Sequence, residues 1–340
     1  MTGNQRNRPR GIFPAVFLFF LFFSPLFAQA AGPGTSAATF LDLGFGARPL
    51  GFGEAYVAMA DDVSAVHYNP AGLSLPQPAM HTAPGAYEML FTHTQYVQGV
   101  ALDQFGLVRR PWGLSVTNLR VGGIEGRTSE TDAPSNFGAS DLAIGLSYGR
   151  KVGSVGLGAT IKYIHQSIGS DGADAYAVDL GVLHHFESAP VSVGADLANL
   201  GTPVRFIDQS YPLPLVLRTG VTYGQSKDFP HALSLQLDWS RDSTPIVRVG
   251  AEYQGFGPFA LRVGYRTFPG GQREAVLGKT LGSATSGFTE FYGLFLGMGL
   301  QTKLGNLDYA ILPFGELGLA HRLSLGLRFG GPADKTGVKK

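Results

Sequence analysis

From about residue 79 to residue 329 apolar and polar positions alternate with a period of two, the spacing that sends successive side chains to opposite faces of a strand. Leu233, Leu235, Leu237 and Trp239 alternate with Ser234, Gln236, Asp238 and Ser240; Leu323, Leu325, Leu327 and Phe329 alternate with Arg322, Ser324, Gly326 and Arg328. One face of each segment is apolar and the other carries Gly, Ser, Thr, Arg or Asp. Such segments fall at 79–91, 95–107, 112–124, 140–150, 154–168, 174–186, 190–200, 213–226, 231–241, 244–256, 258–268, 288–302, 306–315 and 320–329. Their length, about ten residues, is what a tilted strand needs to cross a bilayer, against about 5 to 6 in soluble sheets. Connections are short on one side (151–153, 243–244) and longer on the other (125–140, 269–287), the layout of inner turns and outer loops in outer-membrane proteins. The pattern predicts an all-β fold: a closed antiparallel transmembrane β-barrel of about fourteen strands, closed because hydrocarbon offers an open edge no hydrogen-bond partner.

Composition agrees and removes other classes. Charged residues make up 15% of the chain, well under the roughly 25% of a soluble domain. With 44% apolar residues and a net charge of +1, the chain is neither self-repelling nor too polar to fold, and it has no electrostatic footprint for nucleic acid. The 48 glycines show no collagen period; they are expected where a curved sheet crowds inner side chains. The absence of Cys removes disulfides, thiolate metal sites, Cys nucleophiles and a lipoprotein anchor. Tyr148, Tyr163, Tyr223, Trp239, Tyr253, Tyr265 and Phe329 fall near strand ends, where aromatic girdles form. Arg248, Glu252, Arg262, Arg266 and Arg328 take the non-lipid phase, as do Lys162, Asp179, Asp196, Arg218, Asp238 and Arg322. An Arg or Lys facing lipid costs about 2–4 kcal/mol at the midplane, so these charges predict a lumen that is at least partly polar. They can pair between neighbouring strands or meet a plug or cargo.

The ends of the chain read differently. Residues 1–30 carry Arg6, Arg8 and Arg10, an apolar run from Ile12 to Phe27, and Ala28-Gln29-Ala30, the layout of a secretory signal peptide. Residues 31–77 have neither strand period nor a long helix. Gly51 and Gly53 lie in a turn-rich stretch, Glu54 to Ala60 is small and apolar enough for one or two helical turns, and Asp61 or Asp62 can cap a second short helix. Asn69-Pro70 must end that helix, because a residue before Pro avoids the α region. Such a segment ahead of a barrel (78–330) suits a hatch or plug inside the lumen; residues 331–340 form a polar tail.

Thr35-Ser36-Ala37-Ala38, Gly46-Ala47-Arg48, Gly51-Phe52-Gly53-Glu54-Ala55-Tyr56-Val57-Ala58, Ala60-Asp61-Asp62 and Asn69-Pro70-Ala71-Gly72-Leu73 resemble the N-terminal signature of the PorV/PorQ family of outer-membrane proteins. More distantly, the glycine, Ala-Asp-Asp and Asn-Pro-Ala elements are similar to the hatch of the FadL fatty-acid transporters. The resemblance implies a fourteen-stranded barrel closed by an N-terminal hatch that takes hydrophobic molecules from outside and releases them sideways into the membrane. In the PorV branch it implies instead a component of type IX secretion that binds C-terminal domains of secreted proteins. Asp61, Asp62, Asn69, Pro70 and Gly72 match the hatch elements, and their implied role is to hold the plug's fold and its contact with the wall. The segment 321–329 resembles the C-terminal signal read by the barrel-insertion machinery. The implied location is the bacterial outer membrane, among its lipid, with no cofactor.

Other constellations carry no chemistry. His184 and His185 are adjacent and so face opposite sides of a strand. Asp171, Gly172 and Asp174 have turn composition without the spaced carboxylates of a calcium loop. His165 and Ser167 share one phase near a strand end, a pairing that Ser and His reach by chance; the chain is not expected to be an enzyme.

Overall fold

A computed structural model of the chain describes residues 35–74, 85–96, 99–127, 135–224, 229–267, 293–302, 304–313 and 319–330. The expected signal segment 1–30 and tail 331–340 lie outside the described residues. Sixteen strands form: β1 Tyr87–Gln95, β2 Val100–Arg109, β3 Trp112–Gly126, β4 Ser135–Val152, β5 Val155–Ile168, β6 Asp171–His185, β7 Val191–Gly201, β8 Val204–Phe206, β9 Gln209–Tyr211, β10 Val216–Gly224, β11 Ala232–Ser240, β12 Ile246–Phe256, β13 Phe259–Arg266, β14 Leu294–Gln301, β15 Gly305–Pro313 and β16 Leu319–Phe329. Fourteen of them close into one antiparallel barrel in which β1 pairs β16 and β7 pairs β10, while β8 and β9 form a separate hairpin in the β7–β10 connection.

The alternation is realised as an apolar outside and a polar or small inside. On β16, Leu323, Leu325, Leu327 and Phe329 are exposed, whereas Arg322 and Ser324 are buried. At one end, the turn end, aromatic pairs stack between neighbouring strands: Tyr87 with Phe329 at 5.5 Å and Trp112 with Tyr148 at 4.7 Å between ring centroids. A lateral row of register partners starting at Trp112, the first residue of β3, runs through Tyr148, Ala159, Leu180, Leu197 and Leu217 to Trp239, next to last in β11. That climb from one end of the barrel to the other is the stagger that closure of tilted strands requires.

Three features depart from the alternation reading. The 243–244 connection, expected among the short turns on the side of 151–153, joins β11 to β12 and so lies at the same end as the β3–β4 and β13–β14 connections. The first strand begins at Tyr87 rather than residue 79, and its outward face continues past Phe91 into His93 and Gln95, polar residues that an apolar-run criterion cuts off. Strands β3 and β4 extend to Gly126 and Ser135, into the span expected to be a loop, because their mutual pairing resumes after an irregularity between Val121 and Ile124.

Candidate functional site: the lumen and its hatch

Residues 35–74 lie inside the barrel as four short helical pieces joined by turns. These are a 3-10 turn Thr39–Asp42, α1 Ala47–Gly51, α2 Ala65–Tyr68 and a 3-10 turn Pro70–Ser74. The helical turns expected at Glu54 to Ala60 form as tight turns instead, with Glu54 and Ala60 at positive φ, and a helix forms just before them at α1. Asp62 sets the start of α2: its carboxylate accepts from the Ser64 backbone N–H at 2.9 Å and from the Ser64 hydroxyl. Asn69, with extended backbone, ends α2 ahead of Pro70. Its amide donates to the carbonyls of Val57 (2.8 Å) and of Val182 on β6 (3.0 Å), so one side chain ties the segment to itself and to the wall.

The glycines explain how the segment fits. Ten barrel strands (β2 to β7, β10 and β12 to β14) place an inward glycine where a side chain would strike residues 45–74. A Cβ on Gly158 would lie 2.2 Å from the Ala71 nitrogen, one on Gly181 2.1 Å from Asn69 Oδ1, one on Gly250 2.2 Å from the Phe52 carbonyl oxygen, and one on Gly264 2.1 Å from the Gly53 nitrogen. Many of these glycines are direct register partners: Gly149 with Gly158, Gly158 with Gly181, Gly194 with Gly220, and Gly250 with Gly264. The glycine excess therefore has a more specific cause than curvature. It forms a belt of bare backbone against which another backbone packs.

Buried charges lock the same contact. Arg48 of α1 donates to Asp61 (2.7 Å), Asp62 (3.1 Å) and Glu252 of β12 (3.0 Å), while the Tyr56 hydroxyl donates to Asp61 at 2.7 Å. Arg262 bridges Glu252 (2.6 Å) and Asp308 (2.7 Å). Glu54 pairs with Arg248, which also holds Asp238 at 2.6 Å, and with Arg266 at 3.3 Å. Burial alone would raise the Glu54 carboxyl; the facing guanidinia of Arg248 and Arg266 overcome it and hold Glu54 below the usual carboxylate range. On the opposite side Arg110 donates to the carbonyls of Gly72 (2.6 Å) and Asp61 (3.0 Å). The backbone N–H of Val57 donates to Gln236 at 2.9 Å, and that of Ala47 to Ser324 at 2.8 Å.

Of the residues singled out in the sequence, the structure brings Asp61, Asp62, Arg248, Glu252, Arg262 and Arg266 into this pair of networks. Gly51 and Gly53 face Gly297 and Gly264, Gly72 packs on the Ala60 carbonyl, and Pro70 lies over Gly158. Arg328 lies apart, at the turn end of β16 opposite Glu88. Sequence reasoning did not single out Arg48, Glu54, Tyr56, Arg110 or Gln236. A charged Arg48 or Glu54 within an otherwise small and apolar stretch was the available signal.

Above the charged layer, toward the loop end, the inner wall changes character. Ala143, Ile164, Ala173, Ala175 and Ala177 of β4 to β6 form an apolar cluster with Phe40 and Leu41 of the first 3-10 turn and with Val204 and Leu213 of the β7–β10 connection. A second cluster joins Phe295, Ala310, Leu312 and Ala320 of β14 to β16 to Ala47 and Leu50 of α1. The lumen is thus ionic where the hatch touches β11 to β13 and again where Lys162 pairs with Asp179 (2.6 Å) and Arg218 with Asp196 (3.1 Å), with apolar clusters set among polar side chains toward the loop end. His165 bonds Asp174 at 2.8 Å and Ser167 bonds Ser140 at 2.9 Å, each fully engaged away from the other. Among the described residues no group of three His, Asp or Glu side chains is placed to hold a metal.

This is a closed fourteen-stranded antiparallel β-barrel with its N-terminal segment packed in the lumen. Solved structures that share it include the toluene transporter TodX of Pseudomonas putida (10% identity, 88% of this chain and 98% of that one, TM-score 0.53) and the toluene transporter TbuX of Ralstonia pickettii (14% identity, 84% and 99%, TM-score 0.51). The monoaromatic hydrocarbon channel CymD is similar at 12% identity, 84% and 97% coverage and TM-score 0.50. No protein-family model and no curated protein sequence matches the chain.

Proposed function

We propose that the protein is an outer-membrane channel for small hydrophobic molecules, exported by way of residues 1–30 and gated by the hatch at residues 31–77. The observation that carries this reading is the apolar outer lumen at β4 to β6, occupied by Phe40 and Leu41 of the chain itself. An inner wall that seats a Phe and a Leu side chain against Ala and Ile side chains, with Lys162 turned to Asp179 at its edge, suits an apolar solute. The toluene and monoaromatic specificities of the similar structures make monoaromatic hydrocarbons the first candidates. The glycine belt and the ion pairs of Arg48 and Glu54 then act as the seat and latch of the gate. The secretion role rests on the N-terminal motif similarity alone, and no feature of the lumen favours a polypeptide tail over a small apolar solute.

Entry of the hydrophobic fluorophore N-phenylnaphthylamine into cells whose outer membrane carries the protein tests this reading. Wild type is expected to speed entry, and the Ala175→Asp variant, which puts a charge into the apolar chamber, to return it to the rate of cells lacking the barrel. Equal rates for both proteins would contradict it.

A further inference from the structure

The outward face of the barrel is apolar over most of its circumference but is broken by polar groups toward the loop end, at His165 and Asp174 on β5 and β6, at His321 on β16, and most extensively on β1 to β3. There the apolar stripe ends with Phe91, Phe105 and Val116, which are successive register partners, and the next outward row is His93, Asp103 and Asn118. His93 Nδ1 lies 2.7 Å from Asp103 Oδ1, and Arg120, two residues beyond Asn118 on the same face, donates to the other Asp103 oxygen. All three side chains are open to the surroundings: 58% exposed for His93, 38% for Asp103 and 59% for Arg120.

Height makes this row unusual. His93 stands six residues above the girdle residue Tyr87, and six residues of a strand tilted by about 40° climb roughly 15 Å. The apolar band of such barrels is about 25 Å tall, so the ionic group begins some 10 Å below the band's expected upper edge. Over a run of the same length on β12, the outward residues Tyr253, Ala251, Val249 and Val247 are all apolar. A charged group left among acyl chains is unfavourable. Strands whose apolar stripe is short are accommodated by a thinner bilayer, which lowers headgroups to meet them.

We propose that His93, Asp103 and Arg120 form a site for the phosphate group of an outer-leaflet lipid. Arg120 spends one hydrogen bond on Asp103 and keeps the rest of its planar fork for an anion, the geometry that suits phosphate. Asp103 orients His93 through Nδ1, so Nε2 is directed away from the carboxylate and toward the phosphate. Asn118, beside Asp103 in register, adds an amide. The occupant is a lipid because this wall lies within the membrane band, and the anion that membrane lipids carry at headgroup depth is phosphate. The site is independent of what passes through the lumen.

Native mass spectrometry of the full-length protein, reconstituted with bis-phosphorylated lipid A and then exchanged into detergent, tests the proposal. Wild type is expected to retain one lipid A. Arg120→Gln and His93→Gln are expected to lower the retained fraction at least tenfold, with Arg120→Lys falling between, all three variants keeping the heat-modifiable mobility of a folded barrel. Lipid A stripped of its phosphates should not be retained. Equal retention by Arg120→Gln, or of the dephosphorylated lipid, overturns the proposal. So does displacement by millimolar inorganic phosphate, which would make this an anion site without lipid selectivity, or a protein crosslinking to position 93 in place of lipid.

Discussion

Arg48 is the residue on which the hatch most depends. Its guanidinium pairs with Asp61, Asp62 and Glu252 together, with all four side chains buried or nearly so. Removing one partner of a buried ionic group leaves unpaired charge and costs about 3–5 kcal/mol, whereas a surface pair is worth under about 1 kcal/mol. Arg48→Met is therefore expected to lower the midpoint of heat-induced unfolding on gel mobility far more than Arg120→Met; similar shifts would contradict the assignment. Glu54 supplies a pH dependence whose sign follows from its carboxyl lying below the ordinary value of 4.5. A carboxyl depressed by folding contributes stability above its unfolded-state value and loses it as pH falls through the lower folded value. The hatch should thus be held firmly at neutral pH and loosen below about pH 4.5. Limited proteolysis within 35–74 should rise with acidification in wild type. In Glu54→Gln that part of the rise should be absent and basal cleavage at neutral pH higher. Identical pH profiles would remove Glu54 from the latch.

At the scale of elements, the contact between hatch and strands is a fit of backbone to backbone, and one methyl group can disturb it. Gly158 and Gly181 are neighbours under the Pro70–Ser74 turn, where a Cβ would come within 2.2 Å of hatch atoms on the first and 2.1 Å on the second; Gly153, in the β4–β5 turn, has open space around its Cβ direction. Gly158→Val should cost about 1–3 kcal/mol through overpacking or expel the Pro70–Ser74 turn. Increased labelling of a Cys placed at Ser74 would report that expulsion, and unchanged labelling and unfolding would contradict the belt. The strands themselves were legible from sequence because lipid on one side and a lumen on the other impose a strict period of two. Each of the fourteen segments overlaps a barrel strand, and the first two are displaced because His93 and Gln95 broke the apolar rhythm of β1. The β8–β9 hairpin, three residues a side, is too short to show a period. The hatch was legible only as a place where periodicity fails. Its turn at Glu54 depends on Arg248 and Arg266 of β12 and β13 and its turn at Ala60 on Gly72, contacts that no local pattern contains, and Arg48 gave no sign of its three partners more than ten residues away.

For the whole molecule, the barrel wall and the glycine belt enclose a lumen whose inner half is occupied by the chain's own N-terminal segment. Deleting residues 35–74 would expose Arg248, Glu252, Arg262 and Arg266 to water along the lumen. Single-channel conductance in planar bilayers should then rise, and unchanged conductance would mean the segment does not obstruct the pore. The most direct test of a gating hatch uses the absence of Cys in the chain. The Ser324 hydroxyl of β16 lies 2.8 Å from the Ala47 nitrogen of α1, so Ala47→Cys with Ser324→Cys places two thiols at facing positions and should crosslink hatch to wall on oxidation. The fluorophore uptake of that variant is predicted to stop when oxidised and return on reduction; uptake that continues unchanged through a fully crosslinked barrel would rule out gating by the hatch.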